Sequence, residues 1–211
     1  MKHYRLALHL CCIVNIKAML PSMFRSNMSR VRQPALSRLF SSASDDDSQY
    51  IKSYQLNGSG QGTQVQITTN TGHSIQTDIP LKMGGKDTAP QPVETLVAAW
   101  MGCTQATALF VGRHLPERAA IDKLEFVNIE AFRDERGALT LPIEETPEAP
   151  SRLHRITGSI HVFLKRNKAL SPEQLELLKE QTEIRCPVAN MMMASGCDID
   201  VEWFDGSTVA E

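Results

Sequence analysis

The alternation of apolar and polar positions changes period several times between Tyr50 and Phe204. Val65 and Ile67 alternate with polar neighbours, Asn70-Thr71-Gly72 marks a turn, and the stretch from Ile75 to Ile79 alternates again, which predicts short strands. A loop rich in glycine and proline follows, from Met83 to Pro92. Pro92 suits the first turn of a helix, where its missing N–H costs nothing, and Glu94 stands where a carboxylate meets the free N–H groups of a helix start. From about Val93 to Arg113 the chain is apolar almost all round, with Leu96, Val97, Trp100, Met101, Ala106, Leu109, Phe110 and Val111. A surface helix carries one apolar stripe, so this pattern predicts a helix in the middle of the protein.

Beyond it, Leu124 to Ala131 reads as a strand, Asp134-Glu135-Arg136-Gly137 as a turn, and Leu139, Leu141 and Ile143 as a second alternating run. Glu144 to Pro150 is an acidic, proline-marked connection, and Arg152 to Lys165 a long strand with Ile156, Ile160, Val162 and Leu164 on one face. Ser171-Pro172-Glu173-Gln174 is a helix start with a Ser cap, Pro in the first turn and Gln three residues after the cap. Pro187 breaks that helix and opens a second piece that stops at Gly196, and Ile199, Val201 and Trp203 form a last strand. Strands, a buried helix, strands, a helix pair and a strand make an α+β domain.

Composition adds a split that the total conceals. The 211 residues have a formal charge of −2 and 42% apolar content, which argues against a general nucleic-acid binder and against disorder. Uninterrupted apolar runs are too short for a membrane span, and five cysteines without a CxxC pair support neither a zinc module nor a disulfide framework. Residues 1–44, however, hold seven Lys and Arg and no acid, and from Asp45 onward 15 Lys and Arg meet 24 Asp and Glu, a balance of −9. An Arg- and Ser-rich, acid-free N-terminus is the composition of a mitochondrial targeting segment, and Arg38-Leu39-Phe40-Ser41-Ser42-Ala43 resembles a matrix-protease cleavage pattern. Residues 1–44 are thus expected to be removed on entry to the mitochondrial matrix, leaving 45–211 as the mature domain. A secretory signal on the fairly apolar run Leu6 to Ile16 is a competing reading, disfavoured by His9, Asn15 and Lys17 within or beside it and by the arginines that follow. An overlong start, with Met19, Met23 or Met28 as the true one, is the plainest alternative. Either way Cys11 and Cys12 have no expected role in the mature protein.

Two of the remaining cysteines stand out. Cys103 lies within the apolar helix, where a buried structural thiol is the ordinary outcome. Cys186, set by Pro187 at a helix start and next to Arg185, has a setting that favours a thiolate. Two thiols that meet can pass through a sulfenic acid to a disulfide. Trp100 and Met101 read as packing residues, Met191-Met192-Met193 as gap fillers, and Cys197 as a turn or buried residue.

The segment Gly84-Gly85-x4-Pro90-x-Pro92-x-Glu94-x-Leu96-x-Ala98-Ala99-x2-Gly102-Cys103-Thr104 resembles the first signature of the OsmC/Ohr family. Cys186-Pro187-Val188 resembles the second, in the expected order, and His73 has a Gly-His context similar to OsmC-like sequences. The resemblance covers about Tyr50 to Phe204. It implies an intertwined homodimer in which antiparallel sheets wrap two long central helices, and a thiol peroxidase acting on organic hydroperoxides in oxidative-stress defence. Carried onto this chain, it makes Cys103 the attacking thiolate and Cys186 the resolving thiol, with Glu94 orienting the machinery. A dithiol such as a lipoyl protein or thioredoxin would reduce the disulfide, with no metal, flavin or haem cofactor. No nucleic-acid or membrane partner is implied for the mature form.

Two departures from the peroxidase branches carry a second reading. Those branches take an arginine from the N-terminal strands, and here no Arg occurs between Arg38 and Arg113; Lys52, Lys82 and Lys86 are the cations available. Glu94 and Cys103 are nine residues apart, about 900° of helix, which sets them on opposite faces. The second reading is a non-peroxidase OsmC-like homodimer that binds a ligand or senses redox state.

Overall fold

The computed structural model describes residues 49–208. The targeting segment read in residues 1–44, with Cys11 and Cys12, lies outside the described residues. From Tyr54 the chain forms one compact unit. It begins with an antiparallel sheet of β1 (Leu56–Gln61), β2 (Gln64–Thr69) and β3 (Ser74–Thr77), in that order, with Ile67 opposite Ile75. Most of this sheet is open to solvent within the single chain, and β1 is exposed along its whole length.

The loop from β3 to the central helix is held by one buried carboxylate. Asp78 accepts from Thr63 Oγ1 at 2.7 Å, the Ile79 N–H at 2.8 Å, the Lys86 and Thr88 N–H groups at 3.2 Å each and Thr88 Oγ1 at 3.0 Å. Those donors hold it well below the usual carboxylate range, led by the Thr63 hydroxyl. The Gly-Gly pair is required by the same loop. Gly84 has φ +87° and ends the turn Leu81–Met83, while a Cβ on Gly85 would stand 1.8 Å from the Ile79 carbonyl oxygen.

Helix α1 (Pro92–His114) opens as its sequence predicts, with Pro92 in the first turn and a capping box between Gln91 and Glu94. Trp100, Thr104, Ala108, Val111 and Gly112 are its buried side, packed toward the second sheet and the two C-terminal helices. The opposite side is uncovered: Leu96 is 37% and Phe110 50% exposed, and Ala99, Gly102 and Ala106 between them are exposed too. The helix expected to be buried all round is therefore buried on one side only within a single chain. By length and composition alone it could cross a membrane.

A second sheet follows, in the order β4 (Ile121–Arg133), β5 (Leu153–Leu164), β6 (Asp198–Asp205). β4 and β5 are antiparallel, with a register shift where Asn128 and Gly158, both at positive φ, oppose each other. β5 and β6 run parallel, the one departure from an antiparallel pattern. Ile156, Ile160, Val162 and Leu164 face the core as their spacing predicts. The run Leu139, Leu141, Ile143 is not a strand. Arg136–Leu139 is a short helix, α2, and the three side chains are 61%, 76% and 82% exposed. Alternation alone misleads where Pro142 and the prolines beyond it deny the segment a ladder partner.

Helix α3 (Pro172–Arg185) starts at Ser171, whose Oγ accepts the Gln174 N–H at 3.2 Å while Gln174 Oε1 accepts the Ser171 N–H at 3.0 Å. It ends at Cys186, and Pro187 begins helix α4 (Pro187–Ala194).

Candidate functional site

The site is built where α1 meets the junction of α3 and α4. Cys186 is the last cap of α3 and the first cap of α4, because Pro187 fits the first turn of a helix and no later one. Its N–H bonds back to the Thr182 carbonyl at 2.8 Å, and its Sγ accepts the Ala189 N–H at 3.4 Å. This cap turns the thiol inward against α1, where Thr104 Oγ1 lies 4.0 Å from the sulfur and Cys103 is the residue just before that threonine.

The two thiols differ in access. Cys186 has no exposed surface, and Cys103 is half-buried; both are free thiols. Burial pushes the Cys186 thiol up from its ordinary value; the Ala189 N–H works against that rise, Cys103 adds to it, and Thr104 opposes it. The helix start thus acts on Cys186 as its sequence suggests, but desolvation outweighs it. Arg185, expected beside the thiol, instead points its guanidinium at Gln181 Oε1 one turn back.

Glu94 is placed elsewhere. Its carboxylate accepts the Gln91 N–H at 2.8 Å and Gln91 Nε2 at 3.2 Å, closing the cap of α1. It also lines a groove of about 910 Å³ between α1, the loop before it and the ends of β4 and β5. Val93, Val97, Ala98 and Met101 are the other α1 residues there, with Lys82 and Arg133 as cations; Cys103 is not in the lining. Cys103 follows Met101 by two residues, about 200° around the helix, so the groove and the thiol pair occupy different sides of α1. The structure brings Cys103 and Cys186 together and leaves Glu94 apart from them within one chain.

Other candidates take ordinary places. His73 is exposed in the turn between β2 and β3, its N–H bonded to Thr69 Oγ1 at 3.1 Å. Cys197 is buried between α4 and β6, with burial pushing its thiol up. Trp100 is in the core, edge-on to Phe126, and Met192 is buried while Met191 is 60% exposed. Among the described residues no group of three or more His, Cys, Asp or Glu could hold a metal ion. Sequence reasoning missed Asp78, Thr104 and Arg133. Thr104, directly after Cys103, is the one whose position in the motif could have signalled a role.

The family model of the OsmC-like protein matches residues 85–202, more than half of the chain and the whole of the Cys103–Cys186 arrangement. The chain belongs to the OsmC-like protein family. Its fold is that of solved OsmC structures despite low identity. An organic hydroperoxide resistance protein OsmC from Legionella pneumophila is 15% identical with a TM-score of 0.54, covering 73% of this chain and 98% of that one. An OsmC-like protein of unknown function from Vibrio cholerae O1 biovar eltor is 11% identical with a TM-score of 0.57, covering 73% and 100%. An OsmC-like protein from Mycoplasma pneumoniae is 19% identical with a TM-score of 0.54, covering 72% and 96%. No curated protein matches the sequence.

Proposed function

We propose that this OsmC-like protein is a cysteine-based peroxidase for organic hydroperoxides, acting as a homodimer. The observation that carries the reading is the placement of fully buried Cys186 4.0 Å from Thr104 Oγ1, which puts it beside half-buried Cys103, the preceding residue of α1. The accessible Cys103 thiolate attacks the terminal peroxide oxygen, the O–O bond breaks, and the alkoxide leaves as an alcohol after taking a proton. Cys103 becomes a sulfenic acid. Cys186 then attacks that sulfur, the sulfenic oxygen leaves as water with the Cys186 proton, and the two cysteines share a disulfide. A dithiol such as a lipoyl protein or thioredoxin returns both to thiols. Glu94 supports this cycle structurally, as the cap that fixes the start of the helix that carries Cys103.

The homodimer is supported by the uncovered side of α1, which runs from Leu96 through Gly102 to Phe110, and by the open β1–β3 sheet. Contiguous apolar surface of this kind is ordinarily covered by a partner. For residues 1–44 the acid-free, Arg-rich composition supports delivery to the mitochondrial matrix. Fusion of those residues to a reporter, followed by fractionation, tests that part.

A second reading has one specific observation in its favour. The cations Lys82 and Arg133 line the Glu94 groove and not the thiol side of α1, so a single chain does not assemble the cation, carboxylate and thiol together. An OsmC-like redox sensor or binding protein fits that separation. Peroxide consumption with a dithiol reductant decides between the two. The peroxidase turns over tert-butyl hydroperoxide faster than hydrogen peroxide and loses turnover in Cys103→Ser; a sensor oxidises once and stops.

A further inference from the structure

We propose that the Thr104 hydroxyl is a positioning group for disulfide closure, making the buried Cys186 sulfur a competent nucleophile by donating a hydrogen bond to it. The inference rests on the two-thiol cycle above and assigns a residue to its second step. Cys186 occupies a setting that works against its task. It has no exposed surface, and desolvation holds it as a thiol, whereas attack on a sulfenic sulfur needs negative charge on the attacking sulfur. Water cannot stabilise that charge there, so fixed donors must.

Two hydrogen-bonding groups reach the sulfur. One is the Ala189 N–H, which donates at 3.4 Å as a product of the α4 start, and the other is the Thr104 hydroxyl at 4.0 Å, where either atom can be the donor. Thr104 is 3% exposed and directly follows Cys103 on α1. One residue is about 100° of helix, so the same turn presents Cys103 at the half-buried edge and the Thr104 hydroxyl to the interior. As the Cys103 S–O bond breaks and the S–S bond forms, the Cys186 proton departs with the hydroxyl as water. Thr104 keeps its own proton and stabilises the charge that builds on Cys186 Sγ before the bond is made. Thr182 provides the contrast: it is also buried, one turn before Cys186 on α3, and its Oγ1 has no hydrogen-bond partner among the described residues.

The test compares wild type, Thr104→Val, Thr104→Ala, Thr104→Ser and Thr182→Val as full chains in single turnover, with two oxidants. Tert-butyl hydroperoxide reports sulfenic acid, trapped by dimedone, and then disulfide. Diamide reaches the same disulfide without a peroxide step, through an adduct on the first thiolate that the second displaces. Expected is an unchanged first step, with closure slowed about tenfold in Thr104→Val and Thr104→Ala, its pH midpoint moved up, and recovery in Thr104→Ser. Thr182→Val is expected to close like wild type. Closure at the wild-type rate in both variants lacking the hydroxyl overturns the assignment, as does failure of wild type to form the Cys103–Cys186 disulfide with diamide. A wild type that closes with diamide but ignores peroxide removes the peroxidase reading alone, and the diamide comparison still decides the role of Thr104.

Discussion

Cys186 is fully buried behind Thr104 while the adjacent Cys103 is half-buried, and in the proposed cycle this inequality sets the order in which the two thiols react. On that proposal a peroxide reaches Cys103 first, and the sulfur behind it remains a thiol until its neighbour has been oxidised. The reverse order would require an oxidant to enter a site with no exposed surface.

The raised Cys186 value gives a pH dependence with a defined sign. A thiol in the unfolded chain ionises near about 8.5, and burial makes ionisation harder in the fold. Stability is therefore full below that value and falls as pH rises through the higher native one. Denaturant titrations from neutral to about pH 10 should show this alkaline decline in wild type and a shallower one in Cys186→Ala.

Glu94 is expected to behave as a cap. Glu94→Ala removes both bonds to Gln91 and should lower stability by about 1 kcal/mol, with Glu94→Gln keeping most of it. In single turnover both variants should oxidise Cys103 at a similar rate. A large loss in Glu94→Gln at unchanged stability would mean the carboxylate touches the reaction.

Asp78 ties the β1–β2 turn to the loop that leads into α1, through Thr63, Lys86 and Thr88. Its depressed value means that stability is present above the ordinary carboxylate range and is lost as pH falls below it. Asp78→Asn should lower the midpoint of thermal unfolding by several degrees at neutral pH and flatten the acid limb of the stability profile, read by circular dichroism.

The elements were legible where one local rule governs them. Pro92 with Glu94, Ser171 with Gln174, and Pro187 each fix a helix start through a missing donor or a side-chain cap, and all three stand where the sequence puts them. The nearness of Cys103 and Cys186 was legible only through the family motif, since the chain between them spans two strands and two helices. Leu139, Leu141 and Ile143 misled because alternation reports a face without saying whether anything covers it. The fate of Cys186 was hidden for a similar reason. A helix start can be read from Pro187, but desolvation depends on α1, which packs over the thiol from far away in sequence.

The uncovered side of α1 makes a prediction about assembly. Wild type should sediment as a dimer, and Phe110→Glu or Ala106→Glu should give monomers or misfolded chains by placing charge on that face. A wild-type monomer across the micromolar range would remove the proposed second copy.

The central claim is that Cys103 and Cys186 form one redox pair. Stoichiometric tert-butyl hydroperoxide followed by rapid alkylation and non-reducing peptide mapping tests it most directly. The predicted result is a single Cys103–Cys186 disulfide with Cys197 still a free thiol, and a trapped Cys103 sulfenic acid in Cys186→Ser. Unmodified Cys103 after peroxide treatment, or a disulfide that joins Cys197 instead, would contradict it.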